Sequence, residues 1–150
     1  MKYLDKEIYR RAAYDTSSNT QQKWEVLYSQ YWEQYALIKK DLPKQFTDYY
    51  EKKHLHDSRL FSFRLTREKN GEKPLSLISK WREYSGNTKF TIEYCGIEEF
   101  HCTNMGNYSL NPQYYIFGEI LKTGDLLSHE FLMDTDVVYF IRFRELIFKI

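Results

Sequence analysis

The spacing of apolar side chains changes once along the chain, near position 58. Before that point apolar residues recur three and four positions apart, which is the period of an amphipathic helix. The segment SSNTQQKWEVLYSQYWEQYALIKKDLP (17–43) carries the longest such stripe, which consists of Trp24, Leu27, Tyr28, Tyr31, Tyr35 and Ile38. Asp5 is a suitable N-cap for a shorter helix before it, and PKQFTDYYEKKHL (43–55) predicts a third helix after it. Residues 1–57 are therefore predicted to form a helical layer.

After position 58 polar and apolar residues alternate, which is the period of a β-strand. Turn-forming residues divide this part into about six antiparallel strands, and they are Asn70-Gly71, Gly86-Asn87, Gly124-Asp125 and Asp134-Thr135-Asp136. The third strand is expected to be bulged near Gly96, and NMGNYSLNP (104–112) to be a loop. Helices followed by strands predict one α+β domain, 1–150, in which the helical layer 1–57 packs on one face of a twisted antiparallel sheet, 58–150. Such a sheet can curl toward a half-barrel.

The two hairpin turns near the C-terminus predict which side chains share a face of the sheet. A two-residue turn at 124–125 places Glu119 opposite Glu130. A three-residue turn at 134–136 brings Arg142 to the same face. Two carboxylates that face each other repel unless a cation lies between them, and Arg142 is the expected cation. The opposite face is expected to pack against the helices, and it consists of Ile120, His129, Phe131, Tyr139, Ile141 and Phe143.

The charge balance of the chain offers no overall attraction for polyanions. Its 150 residues include 22 basic and 21 acidic ones, for a formal net charge of +1, so neither nucleic acid nor an anionic membrane is an expected partner. No stretch has the roughly 20 apolar residues of a membrane-spanning helix, and the start MKYLDKEIYRR lacks the apolar core of a secretory signal. Cys95 and Cys102 are too few for a disulfide framework. The expected location is the cytoplasm, with both thiols reduced.

The segment KHLHDSR (53–59) is the one place where two histidines and an aspartate come together in the sequence. One interpretation is that His54, His56 and Asp57 begin a metal site that supports hydrolysis, for which the sheet would have to supply a further ligand. The other is that they form the polar junction between the last helix and the first strand. In that case Asp57 bonds to backbone groups and a histidine packs in the junction. The junction is favoured, because the period of a strand follows immediately.

Two other groups of residues suggest chemistry and have simpler explanations. Glu119 and Glu130 form a candidate acid–base pair, but a neighbouring Arg142 favours two ionised carboxylates in a surface ion-pair network. His101 and Cys102 are adjacent, yet neighbours in a strand point to opposite faces, so the histidine cannot easily activate the thiol. The common nucleotide-binding and hydrolase motifs do not occur in the sequence. No catalytic residue, metal or cofactor is therefore expected.

Several segments resemble those of an uncharacterised protein family. They are the opening MKYLDKEIY, the triplet Leu55-His56-Asp57 within LHDSRLFSF, and the tail GEILKTGDLLSHEFLM followed by VVYFIRFRELIFKI. Together they resemble a bacterial family known as domain of unknown function 4085, although Leu4 and Ile8 stand where aromatic residues are expected. The resemblance implies a bacterial cytoplasmic protein and supplies no catalytic residues. In layout the chain is also similar to immunity proteins of bacterial toxin systems.

The aromatic content gives the most direct indication of function. The chain has 14 tyrosines and 10 phenylalanines, and tyrosine and arginine commonly anchor protein interfaces. We therefore expect a non-enzymatic module that binds another protein, in an immunity-like or regulatory role. One alternative is a small metal-assisted hydrolase that uses the His-Leu-His-Asp segment. Another is a small-ligand carrier with an aromatic cavity between helices and sheet.

Overall fold

The computed structural model describes residues 1–14, 18–52, 54–66, 75–84, 86–103 and 113–150 of the chain. Within these ranges the helices come first and the strands follow. The last helix ends at Glu51 and the first strand begins at Arg59, in agreement with the change of apolar spacing near position 58. The predicted turn at Asn70-Gly71 and the predicted loop 104–112 lie outside the described residues.

The helical layer has the elements that the sequence predicts. Its members are α1 (Lys6–Tyr14), α2 (Ser18–Ile38), a single 3-10 turn (Lys39–Asp41) and α3 (Lys44–Glu51). Asp5 caps α1 as expected, since its Oδ1 accepts hydrogen bonds of 2.9 Å from the backbone N–H groups of Glu7 and Ile8. Pro43 stands immediately before α3, where its fixed φ suits a helix start. None of the described helices combines the length and the apolar composition that crossing a membrane requires.

In the described ranges the sheet has eight antiparallel strands, where the sequence predicts about six. They are β1 (Arg59–Thr66), β2 (Ser76–Arg82), β3 (Lys89–Cys95), β4 (Glu99–Thr103), β5 (Gln113–Thr123), β6 (Leu126–Met133), β7 (Val138–Phe143) and β8 (Glu145–Lys149). Their order across the sheet is β4-β7-β6-β5-β1-β2-β3-β8. The fold class is α+β, as predicted. The curl of the sheet toward a half-barrel stays a prediction.

The two additional strands arise because two of the predicted strands are each divided by a bend. Gly96 follows β3 with a φ of 68°, a left-handed conformation that glycine adopts without steric conflict. Arg144 lies between β7 and β8, and its side chain packs 3.0 Å from the point that a Cβ of Gly96 would occupy. The two bends lie side by side, since Arg144 N donates to Cys95 O at 3.0 Å. Residue types that favour strands continue on both sides of each bend, which is why the sequence predicts one strand instead of two.

The hairpins near the C-terminus have the register that the sequence predicts. Glu119 lies opposite Glu130 in the pair of β5 and β6. Arg142 of β7 lies opposite Ser128 of β6, on the same face as Glu130. The opposite face is buried as expected, and no more than 2% of each of its six residues is exposed, namely Ile120, His129, Phe131, Tyr139, Ile141 and Phe143.

The helices contact both faces of the sheet, and the prediction that they pack on one face is wrong. Tyr9 of α1 and Trp24 of α2 contact Phe117, which points away from the buried face of β5. Tyr50 of α3 contacts His129 on the buried face, with ring centroids 6.5 Å apart. The helical layer therefore straddles one edge of β5. The physical reason is that this edge has backbone groups to bond as well as apolar side chains to cover.

Candidate functional site

Among the described residues, strand β5 has a strand partner along only a small part of the edge that faces β1. The pairing of β5 with β1 comprises two residue pairs, because β1 begins at Arg59. The segment before β1 adds a short extension, in which Asp57 N donates to Tyr115 O at 2.8 Å and Tyr115 N donates to Ser58 O at 3.0 Å. Further along β5 the edge groups need other partners, because a buried backbone group without a hydrogen bond is strongly unfavourable.

Two tyrosines from the helices supply these partners. The backbone N–H of Ile120 donates to the hydroxyl of Tyr31 at 3.0 Å. The hydroxyl of Tyr50 donates to the carbonyl of Gly118 at 2.5 Å, and it lies 2.6 Å from the hydroxyl of Tyr31. Each hydroxyl has a single proton and that of Tyr50 is used on Gly118, so Tyr31 donates to Tyr50. A directed chain of hydrogen bonds thus runs from Ile120 through both tyrosines to Gly118 and closes the edge.

Gly118 leaves room for buried side chains of β5 and β6 that pack against this part of the strand. A Cβ at position 118 would lie 2.5 Å from the hydroxyl of Tyr115 and 2.6 Å from the Cβ of Phe131. Both neighbours are buried, so a larger residue would force a rearrangement of the close-packed interior. A glycine inside a strand pattern is a known signal of close backbone approach. The glycine at position 118 is visible in the sequence, but the sequence does not identify the groups that pack against it.

A cleft opens beside the closed edge, between the helices and β5, with a volume of about 300 Å³. We call it the aromatic cleft, because most of its lining residues are aromatic. It is lined by Leu4, Tyr9, Trp24, Tyr28, Tyr31, Trp32, Tyr50, Leu55, His56, Tyr115, Ile116, Phe117 and Gly118. Small-molecule sites typically have volumes of about 300 to 1,000 Å³ and are mainly apolar. The aromatic cleft therefore has the size and the lining of a small-molecule site.

The walls of the aromatic cleft are rings that hold one another in place. Tyr9 and Trp24 lie edge to face with centroids 5.2 Å apart, and both contact Phe117, at 4.6 and 5.6 Å. One helical turn further along α2, Tyr28 lies edge to face with Trp32 at 5.9 Å. Rings that pack edge to face keep their orientation. The walls of the cleft are therefore formed in the free protein.

The floor of the aromatic cleft is polar but uncharged. Burial raises the pKa of Tyr31 and that of Tyr50 well above the ordinary value of 10. Burial also raises the pKa of Tyr9, and the nearby carboxylate of Asp57 raises it further. The one imidazole in the lining belongs to His56, whose Nδ1 lies 3.0 Å from Oδ2 of Asp57. The cleft thus offers ring faces and neutral hydroxyls, with the contact between His56 and Asp57 at its exposed side.

A buried histidine lies behind the tyrosines and does not line the cleft. His129 is 1% exposed, with Nδ1 2.9 Å from the hydroxyl of Tyr94 and Nε2 3.4 Å from the hydroxyl of Tyr115. Burial lowers the pKa of His129 to about 3, so the imidazole is neutral in the folded protein. Its position on the buried face was predicted, but the tyrosines come from β3 and β5 and could not be assigned from the sequence.

The predicted polar cluster at the junction divides into two separate pairs. His54 Nδ1 lies 2.9 Å from Oε1 of Glu83, and its ring packs against Tyr49 at 4.8 Å. His56 pairs with Asp57, as described above. In the part of the chain that the structure describes, no group of three or more His, Cys, Asp or Glu residues is arranged to hold a metal ion. The segment lies between the last helix and the first strand, as the junction interpretation expects.

Within the junction, a neighbour takes the role that was predicted for Asp57. The hydroxyl of Ser58 donates to His54 O at 2.7 Å, and Ser58 N donates to Leu55 O at 3.0 Å. Asp57 contributes its backbone conformation instead, with a φ of 60°. Aspartate and serine both suit such turns, and the sequence does not distinguish which side chain faces the backbone.

The glutamate pair shares a face as predicted, but its partners are different. Glu119 is 1% exposed and accepts hydrogen bonds from the backbone N–H groups of residues 2–4. The amino group of Met1 lies 2.6 Å from Oε2 of Glu130. The prediction that Arg142 lies between the two carboxylates is wrong, because the N-terminal segment occupies this place. Glu119 is therefore a buried anchor for residues 2–4 and not part of a surface ion-pair network.

Arg142 of β7 finds its partner on the edge strand β4. Arg142 lies 2.8 Å from Oε2 of Glu99, and Nε2 of His101 lies 3.4 Å from Oε1 of the same residue. Cys95 and Cys102 are free, and burial raises the pKa of each thiol. The pairing of β4 with β7 joins segments that are distant in sequence, so hairpin arguments could not place Glu99 beside Arg142.

Comparisons with known proteins relate the chain to a family without an assigned activity. A family model described as "Protein of unknown function (DUF4085)" matches residues 1–141. One similar solved structure is the crystal structure of an uncharacterized protein from Neisseria gonorrhoeae, with 17% sequence identity and a TM-score of 0.44. The similarity covers 63% of this chain and 92% of the other. No curated protein matches the chain.

Proposed function

Since the chain belongs to the DUF4085 family, whose description assigns no activity, we propose from its structure that it is a non-enzymatic binding protein. It holds a small apolar ligand in the aromatic cleft. The observation that carries this proposal is the cavity of about 300 Å³ between the helices and β5, with its mainly aromatic lining. A concave apolar site with a few fixed polar groups is the usual form of a small-molecule site.

The expected ligand is a flat, uncharged ring compound. Trp24, Trp32 and Phe117 offer ring faces and edges, on which a further ring packs in the same offset or edge-to-face arrangements as within the protein. The hydroxyls of Tyr31 and Tyr50 already bond to each other and to β5. A strongly polar ligand would lose its hydration without finding equivalent partners on this floor.

The proposal assigns binding and no reaction to the cleft. General acid–base catalysis needs a group that exchanges a proton near neutral pH at the reacting atom. Tyr31 and Tyr50 hold their protons because burial raises the pKa of each. His129 does not line the cleft, and the side chain of His56, which does, is 48% exposed. These arrangements favour a carrier or a sensor of the ligand.

We also place the protein in the bacterial cytoplasm. Cys95 and Cys102 are both free, which is the usual state of thiols in a reducing compartment. We further propose that the sheet curls toward a half-barrel. Strands β4 and β8 lie at opposite ends of the strand order. The short bend at Gly96 joins β3 to β4, and the short bend at Arg144 joins β7 to β8, so each bend connects one end of the order to the other. These short connections support the curl.

The binding test uses N-phenyl-1-naphthylamine, an uncharged aromatic probe whose fluorescence rises in apolar surroundings. We expect saturable binding to the wild-type protein, accompanied by a change in tryptophan fluorescence. Trp24→Leu removes one wall of the aromatic cleft, because Trp24 contacts both Tyr9 and Phe117. The affinity for the probe should fall by at least about tenfold, which corresponds to about 1.4 kcal/mol.

The matched control is Leu37→Ala on the same helix. The side chain of Leu37 is 67% exposed and does not line the cleft. Its replacement should leave the affinity for the probe within about twofold of the wild-type value. Thermal unfolding of both variants verifies that they fold. Absence of saturable binding by the wild-type protein, or equal losses in both variants, would contradict the proposal.

A further inference from the structure

Strands β1, β2 and β3 carry a row of cations on the face that points away from the core. Arg59 lies directly opposite Arg82, and Arg82 lies directly opposite Lys89. The adjacent residues Trp81 and Phe90 are 2% exposed and point inward, so the three cations point outward. Neighbouring strands lie about 4.8 Å apart. We call Arg59, Arg82 and Lys89 the cationic row, since their three charges stand side by side across the sheet.

The cationic row is not neutralised by the described carboxylates. None of its three members forms an ion pair with a residue in the described ranges, and the neighbouring Glu93 pairs with Lys149 at 4.0 Å. The Nε of Arg82 is buried and has no hydrogen-bond acceptor among the described residues. Like charges directly opposite each other destabilise a sheet. The row is therefore unfavourable in the free protein and would be stabilised by an external anion.

An exposed phenylalanine stands within the cationic row. Phe61 lies at the irregularity of β1 between Leu60 and Ser62, and 46% of it is exposed. The guanidinium carbons of Arg59 and Arg82 lie 5.0 and 4.9 Å from the centre of its ring. The ring thus holds two long side chains in defined positions, which reduces the entropy that they lose on binding. Arginine and aromatic side chains are also the groups that dominate binding energy at protein interfaces.

We propose that the cationic row, together with Phe61, is a docking surface for an acidic surface of another protein. Each guanidinium presents two parallel N–H groups that match the two oxygens of a carboxylate. Carboxylates bound there would also remove the repulsion within the row. Phe61 supplies an apolar contact at the centre. This inference goes beyond the proposed ligand binding, since none of these residues lines the aromatic cleft.

An acidic protein fits this surface better than a nucleic acid does. Proteins that bind single strands use open aromatic ring faces on which bases stack. The guanidinium groups of Arg59 and Arg82 lie over the ring of Phe61, 5.0 and 4.9 Å from its centre, and would compete with a base for the ring face. In addition, the formal net charge of the chain is +1, which provides little of the long-range attraction that phosphate backbones exert on basic proteins.

The experiment measures, by fluorescence anisotropy, the binding of a short labelled peptide with glutamate at alternate positions. We expect binding that weakens as salt is added, because salt screens exposed charges. Arg59→Gln combined with Arg82→Gln should lower the affinity at least about tenfold. Lys89→Glu should lower it in the same direction, and this exposed position keeps the test informative if the double variant does not fold. Lys23→Glu, at an exposed cation of α2, is the matched control and should change the affinity less than about twofold.

Each of three results would overturn the proposal. The first is that the wild-type protein does not bind the peptide. The second is that Lys23→Glu weakens binding as much as Lys89→Glu does. The third is that a single-stranded oligothymidylate or phosphatidylglycerol vesicles bind to the protein more tightly than the peptide does. Trp24→Leu separates this surface from the aromatic cleft, because it should leave peptide binding unchanged. Failure of one proposal is therefore distinguishable from failure of the other.

Discussion

Asp57 has a left-handed backbone conformation, with a φ of 60°, at the point where the helical layer joins the sheet. Residues with a Cβ are strained in this region, and aspartate tolerates it better than most because its short side chain bonds locally. Here the local bond is to His56 at 3.0 Å. The same conformation directs the N–H of Asp57 to Tyr115 O on β5. The contribution of position 57 to stability is therefore mainly its backbone geometry.

Replacement of Asp57 by alanine and by glycine tests this interpretation. Asp57→Ala should lower the free energy of unfolding by about 1 kcal/mol, because alanine keeps a Cβ and loses the local hydrogen bond. Asp57→Gly should be more stable than Asp57→Ala by about 1 kcal/mol, because glycine has no Cβ to conflict with the backbone. Urea unfolding at neutral pH measures both values. Equal stabilities of the two variants would show that the conformation at this position is not the determinant.

At the scale of elements, the edge of β5 connects the helical layer to the sheet. A sheet edge leaves backbone N–H and C=O groups without strand partners, and proteins commonly cover such edges. Here the hydroxyls of Tyr31 and Tyr50 bond to Ile120 and Gly118 of that edge. Both tyrosines also line the aromatic cleft. The groups that hold α2 and α3 against the sheet thus form the floor of the proposed ligand site.

Removal of either hydroxyl should destabilise the protein. Tyr31→Phe leaves the N–H of Ile120 without its acceptor, and Tyr50→Phe leaves the carbonyl of Gly118 without its donor. Each change should cost about 1 to 3 kcal/mol of unfolding free energy, the usual penalty of an unsatisfied buried group. The double variant should cost less than the sum by about 0.5 kcal/mol or more, since both hydroxyls belong to one chain of hydrogen bonds. Urea unfolding of the four proteins in this cycle provides the measurement.

The control for these tyrosines is Tyr84→Phe. Tyr84 is 74% exposed, so loss of its hydroxyl should change the unfolding free energy by no more than about 0.5 kcal/mol. Additive effects of Tyr31→Phe and Tyr50→Phe, or effects as small as that of the control, would argue against a shared hydrogen-bond chain.

At the scale of the whole molecule, the buried face of the sheet encloses one ionisable imidazole. His129 is surrounded by the rings of Tyr50, Tyr94, Tyr115 and Phe131. Burial lowers its pKa from 6.5 to about 3. Because the unfolded chain binds a proton near pH 6.5 and the folded chain does not, His129 favours unfolding as the pH falls. Its contribution to stability is fully present above pH 6.5 and is lost progressively between pH 6.5 and about 3.

The pH dependence of stability should therefore depend on His129. One proton accounts for about 1.4 kcal/mol per pH unit, so the loss between neutral pH and pH 5 should be about 2 kcal/mol. His129→Phe removes this imidazole. Between neutral pH and pH 5, the unfolding free energy of this variant should fall by about 2 kcal/mol less than that of the wild type. Leu37→Ala, at an exposed position that carries no titratable group, should keep the wild-type dependence. Urea unfolding at several pH values provides the comparison, and parallel curves for the wild type and His129→Phe would refute the prediction.

Local patterns in the sequence were sufficient to predict the elements and the hairpins. The helix starts at Asp5 and Pro43, the change to strands near position 58, and the opposition of Glu119 and Glu130 are all confirmed. The eight strands follow from a bend at Gly96, where the sequence predicted a bulge within one strand, and from a bend at Arg144, which was not predicted. The partner of Arg142, Glu99, was not predicted, because β4 and β7 pair without being joined by a hairpin turn.

The chain by itself determined its periods, its caps and its turns, because each depends on residues within a few positions of one another. The bonds of Tyr31 and Tyr50 and the segment that anchors on Glu119 depend on how the helices pack on the sheet. The row of Arg59, Arg82 and Lys89 depends on the register of three strands. Each of these contacts joins positions that are distant in sequence. Several side chains were chemically suitable as partners in each contact. The partner was selected by the packing of the helical layer around the edge of β5 and by the register of neighbouring strands.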